Sequence, residues 1–120
     1  IIMMDQEIRT GERYRSNQKP VYVKTLNVPV SALTGQNIAY EHNISNFGQL
    51  VELCCYAHGK MIRPFPASYY GTNDWDGQCL INATDLKFEL GESMLDEIRK
   101  YPGGIDVIIK YTKTTGIGEE

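Results

Sequence analysis

The chain has 120 residues, of which 42% are hydrophobic and 22% are charged. This composition suits one soluble globular domain and argues against a disordered chain. No apolar run approaches the roughly 18 residues that a transmembrane helix needs, so we expect no membrane insertion. The net charge is -3 and the isoelectric point is near 5.4. Basic residues are interleaved with acids, which removes the usual electrostatic basis for nucleic-acid binding.

The first four residues are apolar, but the run stops at Asp5 and is too short for the core of a signal peptide. Because the chain begins with Ile rather than Met, we expect a fragment of a longer polypeptide or a processed product. We divide it into an N-terminal extension at 1–6, one domain at 7–116 and a C-terminal tail at 117–120.

Apolar and polar side chains alternate along much of the chain, which is the pattern of half-buried β-strands. The alternation is clearest near the C-terminus, where Ile105, Val107, Ile109 and Tyr111 share one face. Turn signals separate the candidate strands and favour an all-β fold, an antiparallel β-sandwich or jelly roll. In chain order, the predicted strands are 7–14, 21–28, 37–42, 50–57, 60–65, 78–83, 86–90 and 105–113.

A short helix is predicted at residues 93–100. Ser93 can cap its N-terminus, and Arg99 and Lys100 lie near its C-terminus, where they suit the helix dipole. Two helical turns are marginal alone. The packing of three apolar side chains must therefore hold this helix: Met94, Leu95 and Ile98.

Two predicted strands, 21–28 and 50–57, carry apolar side chains on both faces. In the second of them, Leu50, Cys54 and Tyr56 lie on the face that should point outward. A solitary sandwich would place charges there, so we expect a second packing surface such as a subunit interface.

The three cysteines are Cys54, Cys55 and Cys79. The first two are neighbours and should point to opposite faces of a strand. Since no Cys-x-x-Cys or Cys/His ligand spacing is present, the sequence supports neither a zinc site nor a redox motif. We interpret the cysteines as buried free thiols of a protein that folds in a reducing compartment.

Residues 67–77 interrupt the alternation and form the richest candidate surface loop. Aromatic rings that stack on sugars lie there beside carboxylates and amides that bind hydroxyls, which favours glycan recognition. In the alternative interpretation, Tyr70 and Trp75 pack inward in the core or in a trimer interface, while the polar residues form turns. The candidate ligand-binding residues are Tyr69, Tyr70, Asn73, Asp74, Trp75 and Asp76.

We predict no catalytic residues, no metal and no cofactor. The Ser, His and Asp residues lack a nucleophile-elbow context, and we interpret His42 and His58 as turn or strand-end histidines. Asp74 and Asp76 would act as a glycosidase pair only through a spatial separation that sequence does not give. The same two residues start a calcium-loop pattern whose other ligands are missing.

Five blocks of the chain carry a recognisable pattern: EIRTGERY at 7–14, KPVYVKTL at 19–26, HNISN at 42–46, YA at 56–57 and VIIKYTKT at 107–114. Taken in order, these blocks resemble a family of bacteriophage structural modules found at the C-termini of tail-fibre, baseplate and receptor-binding proteins. The blocks occur in the family's order and span most of the chain. Three features depart from the family: Tyr14 replaces a usual Trp, residues 16–18 replace an Asp-Gly turn, and 93–100 replaces a short loop.

The resemblance implies a non-enzymatic β-sandwich in a virion tail or other appendage, assembled in the host cytoplasm and commonly homotrimeric. Its partners would be other phage tail proteins and host surface polysaccharide, and a trimer would account for the apolar outward faces. Two alternatives stay open: a head-fibre, collar or tail-assembly module that trimerises without a ligand, and a cellular carbohydrate-binding module attached to a hydrolase.

Overall fold

The computed structural model describes residues 6–15, 18–60, 62–65, 67–69 and 72–114. These residues form nine strands, one α-helix and a short 3-10 turn at Val30–Ala32. The strands are β1 Glu7–Arg13, β2 Pro20–Val28, β3 Asn37–Glu41, β4 Phe47–His58, β5 Ile62–Pro64, β6 Ala67–Tyr69, β7 Thr72–Ile81, β8 Asp85–Leu90 and β9 Ile105–Lys113, and the helix is α1 Glu92–Arg99.

The strands form two sheets, and every neighbouring pair is antiparallel. The five-stranded sheet has the order β1-β2-β9-β4-β5, and the four-stranded sheet has the order β3-β8-β7-β6. Side chains from one face of each sheet form a common core. The predicted all-β sandwich with one short helix is therefore confirmed.

Strand β9 is the centre of the five-stranded sheet. Its alternate residues Ile105, Val107, Ile109 and Tyr111 are 0% exposed, as the period-two pattern predicts. Val107 lies opposite Leu26 of β2 and also opposite a residue of β4. Strand β9 thus has a hydrogen-bonded neighbour on each side, and its inward residues are buried in the core between the sheets.

The four-stranded sheet contributes the other half of the core through β8. Leu86 and Phe88 are 0% exposed and point toward the five-stranded sheet. Phe88 lies opposite Ile38 of β3 and Cys79 of β7, so these side chains share the inward face. Removing a side chain of this size from water contributes about 1.5–3 kcal/mol.

Helix α1 forms where it is predicted, but its N-terminal cap is Gly91, without a side-chain hydrogen bond, rather than Ser93. The helix begins one residue earlier than expected, which places Ser93 inside the first turn. Met94 is 0% exposed, and its sulfur would lie 2.7 Å from a Cβ added at Gly77. The absence of a side chain at Gly77 thus lets the helix pack on β7.

Residues 67–77 do not form the predicted loop. Their described parts form β6 and the first half of β7, with Tyr69 opposite Thr72 and Ala67 opposite Gly77. Beyond Gly77, β7 continues as a partner of β8. This pairing extends the ladder through residues with low strand propensity, because sheet context outweighs that preference.

Candidate functional site

The predicted glycan site lies on the hairpin at one edge of the four-stranded sheet. Tyr69 is the last residue of β6, and Asn73, Asp74, Trp75 and Asp76 are consecutive residues of β7. The sixth predicted residue, Tyr70, lies outside the described residues. The hairpin brings the two chain segments together, and the ligand-binding role of these residues stays a prediction.

A second candidate is the outward side of the five-stranded sheet, which we call the apolar outer face. The register of the ladders places its members on one side, and each of them is partly or fully exposed. The face comprises Ile8, Val23, Thr25, Asn27, Glu52, Cys54, Tyr56, His58, Ile62, Pro64, Asp106, Ile108 and Lys110.

Apolar side chains occupy the middle and two edges of this face. Ile108 is central and lies opposite Cys54 on β4 and Thr25 on β2. At the two edges, Ile8 is 40% exposed and Ile62 is 64% exposed. An outward sheet face that carries several exposed apolar side chains favours an interaction surface. Of the residues predicted to point outward from β4, Cys54 and Tyr56 do so. The prediction is wrong for Leu50, which lies opposite the inward-facing Tyr111 because the register shifts between Leu50 and Glu52.

A polar cluster borders the apolar outer face at one end. His58 Nε2 and Asp106 Oδ2 are 2.6 Å apart, and Asn27 Nδ2 donates to Asp106 Oδ1 at 2.8 Å. The same amide donates to the carbonyl of Gly103 at 2.9 Å. The cluster links β2, β4 and β9 and the turn before β9. His58 is the last residue of β4, which confirms that it is a strand-end histidine.

Charged side chains border the other end. Lys110 Nζ lies 3.6 Å from a carboxylate oxygen of both Glu12 and Glu52. Exposed pairs of this kind contribute little stability, typically about 0–1 kcal/mol. At this end of the face they place one lysine between two glutamates.

His42 follows β3 in a turn and is fully buried. Its Nδ1 accepts a hydrogen bond from the Ile44 amide at 3.1 Å, and its Nε2 lies 2.9 Å from the Asn82 carbonyl. This arrangement requires a neutral ring that carries its proton on Nε2. Lys24 Nζ donates to the carbonyls of His42 and Asn43 at 3.0 and 3.1 Å. His42 is therefore a turn histidine, as predicted, and it supports the HNISN segment.

The three cysteines are free, as predicted, and Cys54 and Cys55 point to opposite faces. Cys55 is 2% exposed, whereas Cys54 and Cys79 are only partly buried. The prediction that all three are buried is thus wrong for two of them. Cys54 belongs to the apolar outer face. It must point there because consecutive residues of a strand point to opposite sides of the sheet and its neighbour Cys55 points into the core.

In the part of the chain that the structure describes, no group of three or more His, Cys, Asp or Glu side chains is placed to hold a metal ion. Over the same residues, no helix combines the length and the apolar character needed to cross a membrane.

Comparisons with protein-family models, curated proteins and solved structures find no match to this chain. The resemblance to phage modules accordingly depends on the sequence blocks alone, and the two surfaces described above carry the functional argument.

Proposed function

We propose that this chain is a non-enzymatic bacteriophage virion module, the distal receptor-binding part of a tail fibre or baseplate, which acts as a homotrimer. The observation that carries the proposal is the apolar outer face of the five-stranded sheet. In an antiparallel sandwich, an outward face in water is normally polar. An apolar one, with Ile62 at 64% exposure, is accounted for when sister copies cover it.

The arrangement of charges supports contact with another protein copy. A protein interface combines an apolar centre with a polar rim. On this face Ile108 and Cys54 lie in the middle, the His58 cluster lies at one end, and Lys110 lies at the other. A cyclic trimer joins different surface patches of neighbouring copies, so part of this face would meet a second region of the next subunit.

The β6–β7 hairpin is the proposed contact with host surface polysaccharide. It carries Trp75 and Tyr69, and aromatic rings of this kind stack on the C–H face of a sugar. Asp74 and Asp76 supply acceptors for sugar hydroxyls. Three copies of a weak site on one trimer would raise avidity without new contacts. Adsorption involves no bond making or breaking.

A structural or assembly role in the virion is the second candidate. The same apolar outer face favours it, because subunit packing accounts for that face without any ligand. In this role the module would join sister copies and neighbouring tail proteins, and the hairpin aromatics would contribute to packing.

The test combines oligomeric state with cell adsorption. Light scattering should give a trimer, and the fluorescently labelled chain should bind host cells in a manner that enzymatic removal of surface polysaccharide abolishes. Trp75→Ala should lower binding by about tenfold or more, as expected for an aromatic anchor. Tyr101→Ala is the matched control, because Tyr101 is an exposed aromatic residue (38%) in the turn after the helix.

The other outcomes separate the candidates. A trimer that binds no host cell or purified wall polysaccharide would replace receptor binding with the assembly role. A monomer that binds polysaccharide would overturn the trimer and favour a cellular carbohydrate-binding module. Equal losses from Trp75→Ala and Tyr101→Ala would remove the hairpin from the site.

A further inference from the structure

Two of the cysteines face each other across the sandwich. Cys55 lies opposite Val107 on the inward face of the five-stranded sheet. Cys79 lies opposite Phe88 on the inward face of the four-stranded sheet. Both side chains therefore point into the space between the sheets, although the residues belong to different sheets and are distant in sequence.

Both cysteines line one small cavity of about 200 Å³, together with Leu53, Phe65 and Gln78. The nearby Cys79 side chain, together with burial, raises the pKa of Cys55 well above its usual range. Cys55 is 2% exposed, whereas Cys79 is partly exposed. A small oxidant can thus reach Cys79 while Cys55 stays sheltered behind it.

We propose that Cys55 and Cys79 form a reversible disulfide between the two sheets when the protein meets a peroxide. A disulfide requires two thiols on facing chain segments at short distance. Immunoglobulin domains show that a β-sandwich accommodates such a bond between its sheets. The proposal is independent of the receptor-binding role.

The reaction begins at the exposed cysteine. The Cys79 thiolate attacks one peroxide oxygen, the O–O bond breaks, and Cys79 becomes a sulfenic acid while the released hydroxide takes the thiol proton to form water. The Cys55 sulfur then attacks the Cys79 sulfur, the S–O bond breaks, and the departing hydroxide takes the Cys55 proton as a second water. Two thiols lose two electrons in total, and one hydrogen peroxide is reduced to two waters. Cys79 reacts first because a buried thiol of raised pKa is a poor nucleophile.

The bond would fasten β4 to β7 and close a loop that contains β5 and β6. A cross-link of this kind stabilises a protein mainly by restricting its unfolded chain. It would also tie the hairpin that carries Tyr69 and Trp75 to the five-stranded sheet. Oxidation would thereby make that end of the sandwich more rigid after the module leaves a reducing compartment.

The test uses the full chain, reduced and then treated with hydrogen peroxide. The intact mass should fall by about 2 Da, the mass of the two hydrogens lost on disulfide formation. Peptide mapping should find Cys55 joined to Cys79 and Cys54 still free. The melting temperature should rise by about 10 °C, and dithiothreitol should reverse all three changes.

Cys54→Ser is the matched control, because Cys54 is the sequence neighbour of Cys55 on the opposite face and its removal should leave the cross-link intact. Cys79→Ser should abolish the mass loss and the rise in melting temperature. Circular dichroism checks that each variant is folded. Peptide mapping is done on the native sequence, so it tests the cross-link even if a variant fails to fold. A mass gain of about 32 Da from a sulfinic acid at Cys79, a bond through Cys54, a bond between chains, or no change would each overturn the proposal.

Discussion

The outward sides of the two sheets differ although the sheets share one core. The four-stranded sheet turns charged and amide side chains outward, which we call the polar outer face, and Leu80 is the large exposed apolar residue among its described members. The apolar outer face of the five-stranded sheet has Ile108 at its centre and Ile8 and Ile62 at its edges. The polar outer face comprises Asn37, Ala39, Glu41, Gln78, Leu80, Asp85, Lys87 and Glu89.

Apolar strand residues can serve two purposes, which are packing between the two sheets and contact with another protein copy, and the difference between the outer faces separates them. Packing between the sheets needs one apolar face from each sheet, and both sheets supply it. The additional apolar residues of the five-stranded sheet are not needed for that packing. In the proposed trimer these residues would meet a second neighbour, whereas the described outward residues of the four-stranded sheet are mostly polar.

The largest change in the free energy of unfolding should come from substitutions that compare the two faces of β9. Ile109 is 0% exposed, and Ile109→Ala should lower the free energy of unfolding by about 2–5 kcal/mol through lost burial and a residual cavity. Ile108 is the next residue but points to the apolar outer face, so Ile108→Ala should cost the single subunit less than about 1 kcal/mol. Urea unfolding at low, equal protein concentrations measures both. Equal losses would break the distinction between core and interface faces.

The next largest effect concerns the association of copies of this chain with one another. A charge at the centre of a subunit interface should weaken it by about 2–3 kcal/mol, so Ile108→Lys should raise the dissociation constant by about 30- to 150-fold. Leu80→Lys is the matched control, because Leu80 is 52% exposed on the polar outer face. Sedimentation velocity over a concentration series measures the shift. If Leu80→Lys causes dissociation and Ile108→Lys does not, the interface lies on the four-stranded sheet and the assignment to the five-stranded sheet is wrong.

Much of the fold follows from local sequence patterns. The alternation in β9 predicts which side chains enter the core, since strand geometry alone sends neighbours to opposite faces. The helix is predicted because Met94, Leu95 and Ile98 share one side. Its cap is mispredicted because Ser93 has the right chemistry but lies two residues after the observed cap, Gly91.

The errors concern contacts between strands. Residues 67–77 are rich in Asp, Asn and Gly, which locally favour turns, and the pairing of β6 with β7 overrides that preference. The juxtaposition of Cys55 and Cys79 depends on how the two sheets face each other, which alternation within one strand does not specify. Alternation predicts that apolar residues point outward, but only the strand order shows that Ile8, Val23 and Ile108 share one face.

The smallest effect should appear at Tyr111, where the inward face of β9 becomes polar. Tyr111 is 0% exposed, and its hydroxyl donates a hydrogen bond to the Glu7 carboxylate, which also lies 2.7 Å from Lys113 Nζ. Tyr111→Phe keeps the ring but removes this bond, so it should cost about 1–2 kcal/mol near neutral pH. The contrast with Ile109→Ala then shows whether apolar burial contributes more than polar contacts on this face.

The pH dependence gives a second measurement of the same group. Burial, followed by the hydrogen bond and charge of Glu7, raises the pKa of Tyr111 above the usual value of about 10. The folded phenol therefore keeps its proton at a pH where the unfolded one ionises. Its contribution to stability is complete below about pH 10 and is lost as the pH rises above that value. Tyr111→Phe should thus flatten the alkaline fall in unfolding free energy, whereas Tyr101→Phe, in an exposed turn, should leave it unchanged. An identical alkaline slope in the native chain and Tyr111→Phe would show that the Tyr111 phenol does not govern the fall.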